Sequence, residues 1–528
     1  MSSDQIDPAV LPDPPEPQLS PVRVMLAMLV IVAVGAGAFF AFRDVAETRV
    51  AQADAASRSA TWFAPYVDAT LTPTVAFQDR ASNPARDVVL GFVVSGTTAD
   101  ATCTPTWGTY ETLDGAASTM DLDRRVAQTR GQGGDAIISF GGQANTELAI
   151  ACDDAGKLGS AYKSVVERYT ADTIDFDIEG EALHDTAANA RRATAVKALQ
   201  DEIRADGGRL AVWLTLPVTP DGLNPDALAV VRTMIDAKVD VAGVNVMAMD
   251  FGVPSAGKDM LGAVESSLTS THAQLGALFG TDKSSSQLWG KLGATVMIGQ
   301  NDVDGESLSV ADARAIKSFA SSRGIARVST WSLNRDTQCG ATFPVIGTHS
   351  NLCSGVAQKP LEFTKTFAKL RGTARAKSAI VTSPTALPAV TSETKDDPAR
   401  SPYPIWQPLQ SYSAGYKVVW HQAVYTAKWY TQGDSPDAQN VAAGDSPWRL
   451  VGPVLSSDRA PTIPTLPAGT HPKWHADTVF RSGDKVLHQG LPYQASWYTQ
   501  GDVPGGTGPN GTPPWKALYR IPGEPTDG

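Results

Sequence analysis

Cysteine is scarce in this chain, four residues among 528, at positions 103, 152, 339 and 353. No CxxC pair, HExxH helix or Walker loop occurs. Zinc-protease and Walker-type phosphate chemistry therefore have no motif to stand on, and neither a metal nor a cofactor is expected. Positive charge is also in deficit: 44 Lys and Arg against 55 Asp and Glu leave a net charge of −11. That excludes the basic footprint of a nucleic-acid binder. Long apolar runs are lacking with one exception, Val24–Phe42, 19 residues without a charge between Arg23 and Arg43. This is just enough to cross a hydrocarbon core of ~30 Å as a helix, and longer than the ~7–15 apolar residues of a cleavable signal. The "AQA" of residues 51–53 lies far downstream for a cleavage site. The expectation is a cytoplasmic tail over 1–23, a signal-anchor helix over 24–42 and an extracellular remainder on a single-pass membrane protein, with secretion after cleavage as the alternative. Four cysteines in an exported chain predict two disulfides. Cys339–Cys353 is the easier pair to assign, and Cys103–Cys152 follows by elimination.

Two segments lack the residues of a core. Residues 372–402 hold no aromatic and are rich in Ser, Thr, Ala and Pro, and 454–470 is similar. Both read as linkers. Around the second lies an internal repeat: "KVVWHQAVYTAKWYTQGDSP" from Lys417 matches "KVLHQGLPYQASWYTQGDVP" from Lys485. Trp406 and Trp474, Tyr425 and Tyr493, and Trp429 and Trp497 are each 68 residues apart. The repeat predicts two small β-rich modules, over 403–453 and 471–522, poor in aliphatics and rich in aromatics.

Before the first linker, strand-like and helix-like segments alternate. Strands are expected at 62–70, 87–94, 136–140, 173–178, 209–216, 243–248, 294–298 and 328–332, with helical patterns between most of them, for example at 158–169, 187–205, 225–237 and 310–323. Eight strands alternating with helices over 58–371 predict an α/β fold of the (β/α)8 TIM-barrel type.

The fourth of these strands is unusual. In "DTIDFDIE", Asp172–Glu179, the acids Asp175, Asp177 and Glu179 alternate with Ile174, Phe176 and Ile178. Alternation puts the acids on one face, and a barrel strand has no solvent face: one side meets helices and the other the packed interior. Ile and Phe suit the helix side, so the acids point inward. Like charges ~7 Å apart along one strand face cannot all stay ionised when buried, so at least one holds a proton at neutral pH. Glu179, last in the series, falls at the C-terminal rim where barrel enzymes do chemistry.

These residues resemble the DxxDxDxE signature of glycoside hydrolase family 18, the chitinases. "SFGG" at 139–142 is similar to the family's SxGG element, "NVMAMDFG" from Asn245 to its strand-six element, and Trp331 sits where the family keeps a tryptophan under the cleaved sugar. The resemblance implies a retaining reaction on β-1,4-linked N-acetylglucosamine chains in which the substrate's acetamido oxygen is the nucleophile, outside the usual two-carboxylate scheme. Glu179 would be the acid and then the base. Asp177 would orient the acetamido group, and Asp175 would share a proton with Asp177. Asp250, Asn245, Met247, Gln300, Trp331 and Ser139 would contact substrate. The strand-six tyrosine of the family is missing: Met249 and Phe251 flank Asp250, and Gln300 or Tyr66 is left to take its place. The repeats resemble carbohydrate-binding modules of family 5/12, which implies that Trp429, Tyr430, Trp497 and Tyr498, backed by Trp406 and Trp474, stack on sugar rings. Trp448, Trp515, Tyr425 and Tyr493 are assigned to the module cores. The expected partners are chitin or its oligosaccharides and a membrane, and the expected state is a monomer.

Overall fold

The computed structural model describes residues 60–252, 259–280, 282–340, 349–370, 372, 394–438, 445–508 and 512–525. Parallel strands alternate with helices through its first part. They are β1, in two stretches Trp62–Phe63 and Tyr66–Asp68, then β2 Val88–Ser95, β3 Ala136–Gly141, β4 Thr173–Asp177, β5 Ala211–Thr219, β6 Val241–Met247, β7 Leu292–Met297 and β8 Arg327–Trp331. Each pairs in parallel with the next. β1 is divided because Pro65, between its halves, has no N–H for a ladder. Trp62 and Phe63 pair with Arg327 and Val328 of β8, whereas Tyr66–Asp68 pair with Val89–Gly91 of β2. The sheet is thus barrel-like, with the two halves of β1 reaching the second and the last members of the series.

The helices between strands start where the sequence supplies caps. Asp154 accepts from the Lys157 N–H at the head of Ala155–Arg168, Asp185 from Ala188 before Thr186–Ala205, and Asn224 from Ala227 with Pro225 in the first turn of Pro225–Asp236. Each such cap contributes about 1 kcal/mol. The hairpin that follows β2, Pro105–Trp107 and Glu111–Thr112, pairs antiparallel and was not expected from the alternation.

Two apolar clusters separate inside from outside. Ile174, Phe176 and Ile178 belong to the large cluster between sheet and helices. There Phe176 stacks on Phe140 at 5.3 Å, and the Tyr162 ring stands edge-on to both. Burying each such side chain stabilises by roughly 1.5–3 kcal/mol, which fixes the register that turns the acids inward. The smaller cluster, Trp62, Ala64, Tyr66, Val89, Ile137 and Trp213, fills the interior, with Phe92 and Trp331 at its upper edge.

The two repeats have matching folds, each a two-stranded and a three-stranded antiparallel sheet. The first uses Ser411–Tyr412 with Thr431–Gln432, and Lys417–Trp420, Ala423–Ala427 and Trp448–Pro453. Its core holds Trp406, Tyr412, Tyr416, Tyr425 and Trp448. The second repeats this pattern from Val479 to Ala517, around Phe480, Tyr493 and Trp515.

The expected linkers need correcting. Residues 373–393 lie outside the described residues, but Asp396 accepts from the N–H groups of His421 and Gln422 in the first module. Within 454–470, Asp458 binds Arg124 of the barrel-like domain, and the Leu466 N–H donates to Gly490 of the second module. Ion pairs and backbone bonds hold this stretch despite its Pro and Ser content. The first module is docked on the barrel-like domain at Asp121, which caps helix Leu122–Gly131 with a left-handed φ of 51°. Asp121 accepts from Arg124 at 3.2 Å, Lys417 at 2.6 Å and Tyr403 at 2.9 Å. Against its burial, Lys417 and Arg124 hold its carboxyl below the ordinary value.

Cys103 is bonded to Cys152 and Cys339 to Cys353. Among the described residues no helix is long and apolar enough to cross a membrane. The expected anchor at 24–42 and the tail before it lie outside the described residues.

Candidate active site

Asp175 has no solvent exposure and lies in the middle of β4. Four donors converge on it. Oδ2 accepts from Tyr66 Oη and Ser139 Oγ, both at 2.7 Å, and Oδ1 from Thr215 Oγ1 at 2.7 Å and Arg327 Nη1 at 2.6 Å. Arg327 is itself wholly buried. Its Nε donates to Ser329 and its Nη2 to Tyr66, while the rings of Trp62, Tyr66 and Trp213 stand 5.5–5.6 Å from its guanidinium carbon. A buried carboxylate is tolerated only when paired and fully hydrogen-bonded, and these donors from β1, β3, β5 and β8 meet that requirement.

Two residues on, Asp177 is also buried, but its Oδ1 has no hydrogen-bond partner. Burial, then the charges of Glu179 and Asp175, push its carboxyl well above the ordinary value, with Arg327 opposing. Its backbone is clasped from β3: the Gly142 N–H donates to Asp177 O at 3.0 Å. A Cβ on Gly141, whose φ is +97°, would come within 2.2 Å of that oxygen, and one on Gly142 would meet the Phe92 ring at 2.8 Å. This close approach is the physical reason for paired glycines here.

Glu179, half-buried just past the end of β4, is pushed up to about 7 by burial and by the charge of Asp250. At neutral pH it is poised to give and to take a proton. Asp250 is fixed in turn. Its Oδ1 accepts from the N–H groups of Asp302 and Val303, at 2.8 and 3.1 Å, and the next two amides, Phe251 and Gly252, donate to Glu306. Burial raises the Asp250 carboxyl as well.

Trp331 and Phe92 stack at 5.7 Å, both partly exposed above the interior cluster. They form an aromatic surface next to the acids. Met247, on the inward face of β6, is partly exposed. Gln300 is buried, and its Nε2 donates to Asn301 O.

Several expected roles change. Ser139 is wholly buried with its hydroxyl on Asp175, so it holds that carboxylate and does not contact substrate. Asn245 is likewise buried, its amide donating to Thr215 and Thr295, and so acts through Thr215. Tyr66 cannot replace the missing strand-six hydroxyl, because its own is committed to Asp175 and Arg327. Trp406 is a core residue, and Trp474 packs on the second module's core. Trp429 and Tyr430 are 45% and 66% exposed, and Trp497 and Tyr498 are 41% and 66% exposed, so each module presents one adjacent aromatic pair. Arg327, Thr215 and Glu306 were missed from sequence. Arg327 was legible: it shares alternation parity with Trp331, as Asp175 does with Glu179. Among the described residues no group of His, Cys, Asp and Glu is arranged to hold a metal ion.

No family model matches the chain. Over 288 residues, 53% of its length, it is 36% identical to the probable bifunctional chitinase/lysozyme of Escherichia coli, covering 31% of that protein. Over a stretch of the same length it is 33% identical to endochitinase 11 of Metarhizium anisopliae, covering 53% of that protein. The chain thus spans about a third to a half of the length of these curated relatives. Among solved structures, the catalytic domain of the hyperthermophilic chitinase from Pyrococcus furiosus matches with a TM-score of 0.51 at 25% identity, over 59% of this chain and 97% of that one. That likeness gives residues of the first part a TIM-barrel-like α/β fold.

Proposed function

We propose that the chain is a chitinase of glycoside hydrolase family 18, which hydrolyses β-1,4 links between N-acetylglucosamine units with retention and with the substrate's acetamido oxygen as nucleophile. The observation that carries this reading is the state of the two outer acids. Asp177 keeps a buried oxygen without a partner beside Glu179, a carboxyl raised to about 7 at the rim. Glu179 protonates the departing glycosidic oxygen as the acetamido oxygen attacks the anomeric carbon and forms an oxazolinium. Water, deprotonated by the Glu179 carboxylate, then adds to the anomeric carbon from the side the leaving oxygen vacated and breaks its bond to the acetamido oxygen. Asp177 receives the acetamido N–H at Oδ1 and offsets the positive charge that develops. The names of the curated relatives support the substrate class.

In the same proposal the parallel sheet is a closed (β/α)8 barrel, and Trp331 and Phe92 support the sugar. The Trp429–Tyr430 and Trp497–Tyr498 pairs of the two modules stack on chitin. The protein works on the outer side of a membrane that residues 24–42 cross. Glu179→Gln keeps shape and removes the transferable proton. Hydrolysis of N-acetylglucosamine oligomers should fall at least ~10²–10⁴-fold while chitin binding persists. Near-normal turnover by that variant would refute the assignment. So would frequent glucosamine at the new reducing ends of products from partly acetylated chitosan.

A further inference from the structure

Docking of the first module on the barrel-like domain leaves a cleft of about 800 Å³ between them. One wall is the loop after β1, with Thr70, Thr72 and Thr74, and the loop after β2, with Tyr110 and Glu111. The other is the first module, with Thr426, Lys428 and Arg449. Because β1 and β2 are parallel to β4, these loops emerge at the same rim as Glu179. The β1 loop is also tied to the aromatic floor of the site: Asn334, three residues beyond Trp331, accepts from the Asp68 N–H and donates to the Asp68 carbonyl.

The chemistry of the cleft fits a neutral glycan. Its walls are rich in hydroxyls and short of apolar side chains. Of its charged residues, Lys417 is paired with Asp121, and Arg125 is taken up by Gln78 and the Val75 carbonyl. Two groups stand ready for a ligand. The Tyr110 ring is 77% exposed at the mouth, the most exposed large apolar side chain among the described residues, and Nε of Arg449 is buried without a hydrogen-bond partner. At the far end the cleft runs into the module's own aromatic pair, since the Lys428 ammonium that lines it stands 4.6 Å from the Trp429 ring. A volume of this size takes several sugar units.

We propose that this cleft is a second saccharide-binding site, which takes a neutral amide- and hydroxyl-bearing polysaccharide chain on Tyr110 and Arg449 and carries it between the Trp429–Tyr430 pair and the rim of the catalytic site. The proposal rests on the chitinase reading. The first module is in this view an extension of the binding surface held at a fixed angle, because the ion pairs at Asp121 set its position.

The test is isothermal titration of the full chain carrying Glu179→Gln, which binds without turnover, with N-acetylglucosamine oligomers of three and of six or more units. Tyr110→Ala and Arg449→Ala are added singly. Tyr110 is exposed, so its removal does not disturb the fold. We expect each change to weaken binding of the long oligomers about tenfold, the scale of one lost aromatic or charged contact, and to leave the trimer within twofold. Unchanged affinity for every length in both variants overturns the cleft while leaving the catalytic reading intact. Equal loss for trimer and long oligomer assigns Tyr110 and Arg449 to the catalytic site and also overturns it. Failure of the parent to bind any oligomer removes the chitinase reading and the cleft with it.

Discussion

Replacing Arg327 by methionine removes the positive partner of Asp175 while keeping an unbranched side chain of similar length among the rings of Trp62, Tyr66 and Trp213. The pair is separated by 2.6 Å, and neither side chain has any solvent exposure. A buried carboxylate stripped of its counter-ion typically costs about 3–5 kcal/mol, and Nη2 no longer donates to Tyr66. At roughly 1.5 °C per kcal/mol, from an unfolding entropy of ~2.1 cal/mol/K per residue over a domain of about 310 residues, the melting temperature should fall by about 5–8 °C. Thermal unfolding followed by calorimetry at neutral pH measures it. The double variant Arg327→Met, Asp175→Asn should recover much of the loss, because no unpaired charge then remains, and the double-mutant cycle gives the coupling of the two. If Arg327→Met alone changes stability by less than about 1 kcal/mol, Asp175 does not depend on this ion pair and the account of the interior fails. Activity should fall as well, since the charge that opposes protonation of Asp177 is lost.

Glu179 acts as an acid only while protonated, so kcat/KM should decline as pH rises through about 7. Asp250→Asn removes a negative charge that keeps the proton on Glu179, which lowers its pKa and moves that limb of the profile to lower pH; a limb that stays in place refutes the coupling. Cutting the chain after residue 372 strips Lys417, Tyr403 and Asp458 from Asp121 and Arg124, and should lower the melting temperature by at least ~4 °C. Cutting after residue 461 keeps those contacts and should leave the melting temperature of the barrel-like domain nearly unchanged. Equal melting temperatures for the two truncations would show that the docking carries no stability.

Most of the fold was legible because its signals are local and repeated. The inward turn of Asp175, Asp177 and Glu179 follows from alternation with Ile174, Phe176 and Ile178, and the helices expected at 187 and 225 start within one residue of those positions, whereas the one expected at 158 starts at Ala155, behind its Asp154 cap. The docking of the first module was not legible. Composition marks 454–470 as linker-like, and nothing local to Asp458 states that its partner is Arg124, 334 residues earlier. Long-range ion pairs have no periodicity, so they leave no trace in a window of sequence.

The site divides along the same line. The identity of the acids was readable from one strand, but what distinguishes them chemically is supplied from elsewhere. Asp175 and Asp177 are two residues apart, of one type, and face the same interior. Asp175 receives Arg327, Tyr66, Ser139 and Thr215 from four other strands, whereas Asp177 Oδ1 receives nothing. Environment therefore gives two like carboxyls different tasks: one is held by four donors, and the other keeps an oxygen open to a ligand. The same reasoning relocates Ser139 and Asn245, which sequence placed against the substrate. A hydroxyl or amide on an inward strand face reaches whichever polar group is nearest, and in an interior holding a buried carboxylate that group is Asp175, or Thr215 that serves it. Conservative replacements at these positions should therefore alter Asp175 before they alter substrate affinity.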